Sequence, residues 1–204
     1  MNEVFLNPEI YGFYYFIKQI KGVDLSLIKQ AVSIYDISLG QKYIPENNLI
    51  EYVNSQEKYV TLGAADQNRL FGVGVSFVAS DIERSNYNKE LNQFEKILDL
   101  NDYKVGIIKS IAVLPDFRHR GIGTSITMKS EQKLIQLGSN LLFAISWDSE
   151  RPDSSKRMFE KLGYENVSTI KDYWTKDSTL KGYECPRCEK ICHCQAIFFL
   201  KHVN

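Results

Sequence analysis

The sequence predicts an α/β domain, and three observations carry that expectation. The run Ile107-Ile108-Lys109-Ser110-Ile111-Ala112-Val113 is short, β-branched and largely apolar, the pattern of a strand that is partly or fully buried. Directly after it, Ile122, Ile126, Leu134 and Leu137 recur at helical spacing, and Gly138 supplies a C-terminal stop. Elsewhere the hydrophobic period switches repeatedly between that of a strand and that of a helix, as a layered sheet-and-helix domain requires.

Taken in order, Tyr14 to Ile20 can form a first strand. Asp24 is placed to cap a helix that carries Leu27, Ile28, Ala31, Val32 and Tyr35. Pro45 opens a second, shorter helix through Leu49, Ile50 and Val53. Tyr59–Leu62 and Leu70–Val78 read as antiparallel neighbours joined through the polar turn Asp66-Gln67-Asn68-Arg69. After the central strand and its helix come a strand at Leu141–Trp147 and a helix from about Asp153 to Leu162. Strands near Tyr164–Trp174 and Ala196–His202 follow. Residues 81–104 are polar, with Leu91, Phe94, Ile97 and Leu98 at helical spacing. They read as an inserted amphipathic helix or as a solvated flap.

The link between the central strand and its helix is the most informative segment. Pro115 stops the strand's ladder and Asp116-Phe117 turns the chain into Arg118-His119-Arg120-Gly121-Ile122-Gly123. Glycines at 121 and 123 let backbone N–H groups approach an anion without a Cβ in the way. The new helix adds about half a positive charge at its N-terminus, and Arg118, His119 and Arg120 add more. The order strand, proline, turn, glycines and helix therefore points to a backbone-lined seat for a pyrophosphate.

Val113-Leu114-Pro115-Asp116-Phe117-Arg118-His119-Arg120-Gly121-Ile122-Gly123 resembles the coenzyme A signature of the GNAT superfamily of acyl-CoA-dependent N-acyltransferases. Phe159-Glu160-Lys161-Leu162-Gly163-Tyr164 resembles the helix-to-strand turn that follows in that family, and one helix and one strand fit between the two segments. The resemblance spans most of the chain. It implies a mixed, mostly antiparallel twisted sheet of about seven strands flanked by helices. The whole of 1–204 then forms one domain, with an insertion at about 81–104 and a cysteine hairpin at about 182–195.

The same resemblance implies that the backbone of Ile111, Ala112 and Val113 pairs with the pantetheine arm of acetyl-CoA and polarises the thioester. Arg118, His119, Arg120, Gly121, Ile122, Gly123 and Thr124 would hold the pyrophosphate. In that family a tyrosine often protonates the departing thiolate; here the matching position is Phe159, and Pro152 replaces an asparagine common seven residues earlier. Tyr173, Tyr164 or water is left to take over, with Tyr173 the better candidate. A thiol pKa near 8.5 makes the thiolate a tolerable leaving group even without an acid. Asp148 and Glu150, after the strand at 141–147, are candidate bases for the acceptor amine. A lysine-like amine costs roughly 4–5 kcal/mol to deprotonate at pH 7, an α-amine only about 1 kcal/mol.

Composition bounds the rest. The chain has 204 residues, 44% hydrophobic and 25% charged, with 25 basic residues against 25 acidic ones. That balance gives no global attraction to nucleic acid or to an anionic membrane. No stretch is apolar enough to span a bilayer, and the aromatic run Tyr11–Ile17 has the wrong flanks for a signal peptide, so the expected compartment is the cytoplasm.

All four cysteines lie between 185 and 194. Cys185-Pro186-Arg187-Cys188 is a C-x-x-C knuckle, and Cys192-His193-Cys194 follows after three residues. Four thiolates in one short hairpin can close a tetrahedral zinc site, with His193 as a substitute ligand. Free or redox-active thiols are the alternative, an iron–sulfur cluster a more distant one. Such a hairpin serves as a structural staple or borders the acceptor cleft.

The expected activity is direct transfer of an acetyl group from acetyl-CoA to an amine, since no cysteine adjoins the predicted thioester segment. A GNAT-fold binding module with little catalysis is the competing reading. The acceptor is left open, from small metabolites to lysine side chains, and exposed edge strands near the C-terminus permit a homodimer.

Overall fold

A computed structural model of the chain describes residues 14–22, 24–66, 69–91, 98–148 and 155–203. Seven strands form one sheet: β1 (Phe16–Gln19), β2 (Tyr59–Ala65), β3 (Leu70–Val78), β4 (Val105–Val113), β5 (Leu141–Asp148), β6 (Glu165–Ile170) and β7 (Gln195–His202). Their order across the sheet is β1-β2-β3-β4-β5-β7-β6. Only β4 and β5 run parallel; every other pairing is antiparallel. The helices are α1 (Leu25–Leu39), α2 (Glu46–Asn54), α3 (Asp81–Leu91), α4 (Ile122–Gln136), α5 (Lys156–Lys161) and α6 (Tyr173–Lys181).

Local chemistry explains the main boundaries. The Asp24 carboxylate accepts from the N–H groups of Ser26 and Leu27 at 3.0 and 3.2 Å, which fixes the start of α1. Pro45 precedes α2 at its N-cap, where a missing N–H costs nothing. A short 3₁₀ turn at Pro115–Phe117 leads from β4 towards α4. Helix α4 ends at Leu137, and Gly138 follows with φ 91°.

Both sheet faces are buried. Helices α4 and α5 cover one face, where Ile122, Ile126 and Leu134 pack with Phe71, Ile108, Ala144, Phe159 and Phe199. On the other face, α1 and α2 cover the β2–β3 side through Ile28, Tyr35 and Leu49. Beyond them, α3 and α6 cover the side of β5 and β7, around Leu91, Phe143, Phe198 and the partly buried Trp174. Two different helical layers thus share one face of the sheet, and the space between them opens beside β4.

The structure amends the expected element list in one place. A single strand near Tyr164–Trp174 does not form: β6 stops at Ile170, Asp172 takes a left-handed conformation (φ 53°), and Tyr173 starts α6. The insertion after β3 contains α3, and Asn88 at its buried side accepts from the Leu100 N–H at 2.9 Å while donating to Asp99. Phe94 and Ile97 lie outside the described residues, as do Gln67, Asn68, Glu150 and Pro152. No helix among the described residues is long and apolar enough to cross a membrane.

Candidate active site and cysteine centre

The site begins where the central strands part. Parallel pairing of β4 with β5 runs from Val105↔Leu141 to Ile108↔Ala144 and stops, while β5 stays paired with β7 to its end. Past Ile108, β4 keeps β3 on one edge and faces a gap on the other. The Leu114 N–H donates to the Phe71 carbonyl of β3 at 2.8 Å. By alternation, the backbone N–H and C=O of Ile111 and Val113 turn the other way, into the gap, and those of Ala112 face β3. The Val113 carbonyl already accepts from Ser38 Oγ (3.2 Å) and Arg118 Nε (3.1 Å).

A β-bulge sits just before the gap. Val75 pairs with Ser110 but Ser76 with Ile108, so Lys109 is an extra residue on β4. Ser110 after it points to α1 and donates to the Tyr35 hydroxyl at 3.0 Å.

At the far end of β4 the turn before α4 forms a concave nest. His119 (φ 60°) and Gly121 (φ 76°) are both left-handed, and such turns aim successive backbone N–H groups at one point. The Ser125 N–H bonds the Gly121 carbonyl at 2.9 Å, so the first-turn N–H groups of Ile122, Gly123 and Thr124 lie ahead of the helix ladder. A Cβ on Gly121 would meet nothing within 4 Å, so its positive φ is what calls for glycine there. Arg120 lies over the Phe117 ring, which stacks on Phe71.

Gap and nest belong to one cleft of about 690 Å³. At the nest end it is lined by Val113, Arg118, His119 and Gly121 to Thr124, and at the other by Tyr43, Lys109, Trp147, Trp174 and Tyr183. Backbone donors stand at one end and aromatic rings with one lysine at the other. No aspartate or glutamate lines the cleft among the described residues.

The candidate acid and bases fall as follows. The Tyr173 hydroxyl donates to Glu90 of α3 at 2.8 Å, and its ring packs on Trp174 and Phe198; Tyr173 is not among the residues lining the cleft. Burial raises the Tyr173 pKa, and the Glu90 carboxylate raises it further. Asp148 accepts from Gln195 at 2.9 Å at the end of β5 and is also absent from the lining; Glu150 lies outside the described residues. Phe159 borders the cleft but stacks on Phe199 and meets Tyr164 edge-on, a packing role with no proton to give. Sequence reading passed over Tyr43, Tyr183, Trp147 and Lys109. Lys109 carried a signal, as the only charged residue in the β4 run.

The four cysteines come together. All four Sγ atoms lie within 4.8 Å of one another, with Cys185–Cys194 at 4.0 Å and Cys188–Cys194 at 3.7 Å. A zinc–sulfur bond of about 2.3 Å gives a tetrahedral edge of about 3.8 Å, so this spacing fits a metal-sized centre. The N–H groups of Cys188 and His193 point at Cys185 Sγ and Cys188 Sγ, both at 3.5 Å. The short spacer closes because Glu189 adopts φ 64°.

Among the described residues the buried indole N–H of Trp174, packed against the cluster, finds no hydrogen-bond partner, while that of Trp147 is directed at Cys194. Burial pushes the Cys194 thiol up to about 11, against a lowering from Trp147. Burial also opposes ionisation of Cys185, but N–H donors from Cys188 and Arg187 bring that thiol down. This donor set suits thiolates. His193, expected as a substitute ligand, instead lies exposed with Nδ1 3.3 Å from Asp172.

The hairpin is also a wall of the cleft, which Cys185 and Cys192 line although both are buried. Thr175 Oγ1 donates to the Cys192 carbonyl (2.7 Å) and the Cys192 N–H to Ser178 Oγ (3.0 Å), tying the hairpin to α6. Tyr183 meets Tyr43 edge-on across the opening, with ring centroids 5.5 Å apart.

Among solved structures, polyamine N-acetyltransferase of Drosophila melanogaster matches 92% of this chain and 100% of its own, with TM-score 0.62 at 14% identity. The fold is that of the GNAT superfamily. A structure of the NatC complex bound to Gag peptide and CoA matches likewise, over 92% of this chain and 99% of its own, with TM-score 0.62 at 13% identity. The model of the FR47-like protein family matches residues 94–175, the stretch that includes the nest and the parting of β4 from β5. An uncharacterised N-acetyltransferase of Chlorobaculum tepidum is 30% identical over 98 residues, which is 48% of this chain and 56% of that protein. The match thus spans about half the length of that curated relative.

Proposed function

We propose that this chain is a GNAT-type N-acetyltransferase that moves an acetyl group from acetyl-CoA to an amine by direct transfer. The observation that carries the reading is the parting of β4 from β5 beside the nest at the start of α4. Pantetheine would lie along Ile111 and Val113, and the pyrophosphate on the N–H groups of His119 to Thr124 with Arg118 and Arg120 nearby. The acceptor nitrogen attacks the thioester carbonyl, the C–S bond breaks, the nitrogen loses a proton to solvent or a base, and the CoA thiolate takes up a proton. Acetyl-CoA as co-substrate also agrees with the CoA-bound complex that shares the fold.

Cys185, Cys188, Cys192 and Cys194 would hold zinc as a closed structural site. Zinc supplies cross-linking there, and thiolates committed to it are not free to take the acetyl group. A homodimer through the β6 edge is the assembly that the strand order permits.

Calorimetric titration with acetyl-CoA, against desulfo-coenzyme A, tests the reading. Saturable one-to-one binding followed by acetylation of an amine is expected; no binding at millimolar ligand overturns it. A GNAT-fold binding module is the second reading, favoured by Phe159 and by the absence of a described carboxylate in the cleft lining. Binding of acetyl-CoA without turnover on any amine would select it.

A further inference from the structure

Lys109 is a charged group of the β4 wall of the cleft that the proposed transfer does not use. It is the bulged residue of β4, partly buried, and it lines the cleft where β4 and β5 part. Burial lowers its pKa from the ordinary lysine value; Lys181 of α6 lowers it further, against Asp177 of α6 and Glu83 of α3. Those carboxylates are already engaged. Asp177 pairs with Lys181 at 2.8 Å, and Glu83 pairs with Lys58 at 3.1 Å and accepts from the N–H and hydroxyl of Ser80. Each nearby acid therefore pairs directly with another lysine, and among the described residues no carboxylate forms an ion pair with Lys109, which faces the cleft.

Aromatic groups dominate this end, with Tyr43 from the turn after α1, Tyr183 from the hairpin, Trp147 of β5 and Trp174 of α6, beside the hairpin cysteines Cys185 and Cys192. With an ordinary phenol pKa near 10, neither tyrosine carries a negative charge at pH 7 that would pair with Lys109. A partly buried cation without a partner is a costly arrangement that an anion relieves. A polycationic acceptor would add to that cost.

Resting on the acetyltransferase reading, we propose that the acceptor is an amine that also carries a carboxylate, held by Lys109, with an apolar or aromatic body between the rings. Lys109 and the thioester then divide an amino acid between them: the carboxylate pairs with Nζ while the neutral amine is presented to the thioester.

The test compares L-tryptophan with tryptamine, which lacks only the carboxylate, and with spermidine, all at saturating acetyl-CoA. Wild-type protein is expected to favour tryptophan over tryptamine by at least about tenfold in kcat/KM, with spermidine poorest; one charge-assisted hydrogen bond accounts for a preference of that size. Lys109→Met should erase the preference and Lys109→Arg should restore part of it, while calorimetric affinity for acetyl-CoA stays near wild type in both. A wild-type enzyme that takes tryptamine as readily as tryptophan, or a preference that survives in Lys109→Met, overturns the proposal. So does mass spectrometry that finds the acetyl group on Lys109 itself. A second readout needs no turnover: N-acetyltryptophan should bind wild-type protein more tightly than N-acetyltryptamine, and Lys109→Met should abolish the difference. Equal binding of the two overturns the anion site, whereas failure to bind acetyl-CoA overturns the acetyltransferase reading instead.

Discussion

The α-carbon of Gly40 lies against the carbonyl of Glu184, so closely that a Cβ at position 40 would overlap that oxygen. Gly40 follows α1 and Glu184 leads into the cysteine hairpin. The contact therefore joins the two segments that carry Tyr43 and Tyr183 to opposite sides of the cleft.

Replacing Gly40 with valine should break that contact. The backbone there has φ 118°, which disfavours a side chain independently of the overlap. A loss of about 1–3 kcal/mol is expected, read as a lower melting temperature together with faster reaction of the hairpin cysteines with a thiol reagent. Melting and thiol reactivity like wild type would show that the turn and the hairpin are not coupled.

Gly121→Val acts differently because there is open space around the missing Cβ. Its cost to folding is the strain of a left-handed valine, about 1–2 kcal/mol. The larger effect should fall on acetyl-CoA, whose affinity should drop severely as the added side chain stands over the nest. Calorimetry beside thermal melting separates the two, and unchanged affinity would remove the pyrophosphate from this turn.

Protein purified without added zinc should contain about one equivalent of the metal. Cys188→Ser should lose most of it, and a strong chelator should lower the melting temperature of wild-type protein but not of the variant. Less than half an equivalent, with four thiols that react freely, would return the cluster to ordinary cysteines.

Tyr173→Phe removes the hydroxyl that donates to Glu90. A loss of about 1–3 kcal/mol is expected, because a half-buried carboxylate is left without its donor. Burial already raises the Glu90 pKa and the Tyr173 bond holds it down, so the variant should raise it further. The pH dependence of acetyl transfer should stay unchanged. A missing limb in that profile would make Tyr173 the proton donor after all.

Lys109 gives a stability prediction with a definite sign. Its folded pKa lies below the ordinary lysine value, so the unfolded chain binds the proton more readily and stability rises with pH across that interval. The cost is full below the folded pKa and disappears above about 10.4. Lys109→Met should therefore melt higher than wild type at pH 7, with the difference shrinking as the pH rises. A gap constant with pH would trace to packing rather than charge.

Much of this was legible from the chain. The β4–α4 segment could be read because proline, turn and glycines punctuate a strongly apolar strand, and Asp24 because a carboxylate before an apolar stripe has one obvious use. Helix α6 was hidden: Tyr173, Trp174 and Thr175 have high strand propensity, and the boundary depends on the left-handed conformation of Asp172, which aspartate only modestly favours. Convergence of the cysteines followed from their spacing. Their position beside the cleft did not, because it depends on the anchoring of Cys192 by Thr175 and Ser178 of that same unforeseen helix. The surroundings of Lys109 were equally out of reach, since Asp177 and Glu83 come near it only after folding and already bring their own lysines.

The interruption between β4 and β5 has a mechanical side. The blocks β1–β4 and β5–β7 are stitched together by one short ladder, Val105–Ile108 against Leu141–Ala144. Above that seam the layer is notched from within, and an extended molecule lodged in the notch acts as a strut bracing one block against the other. Stiffness of the whole sheet then becomes a property of occupancy, visible as slower amide exchange in β4 and β5 together once the notch is filled.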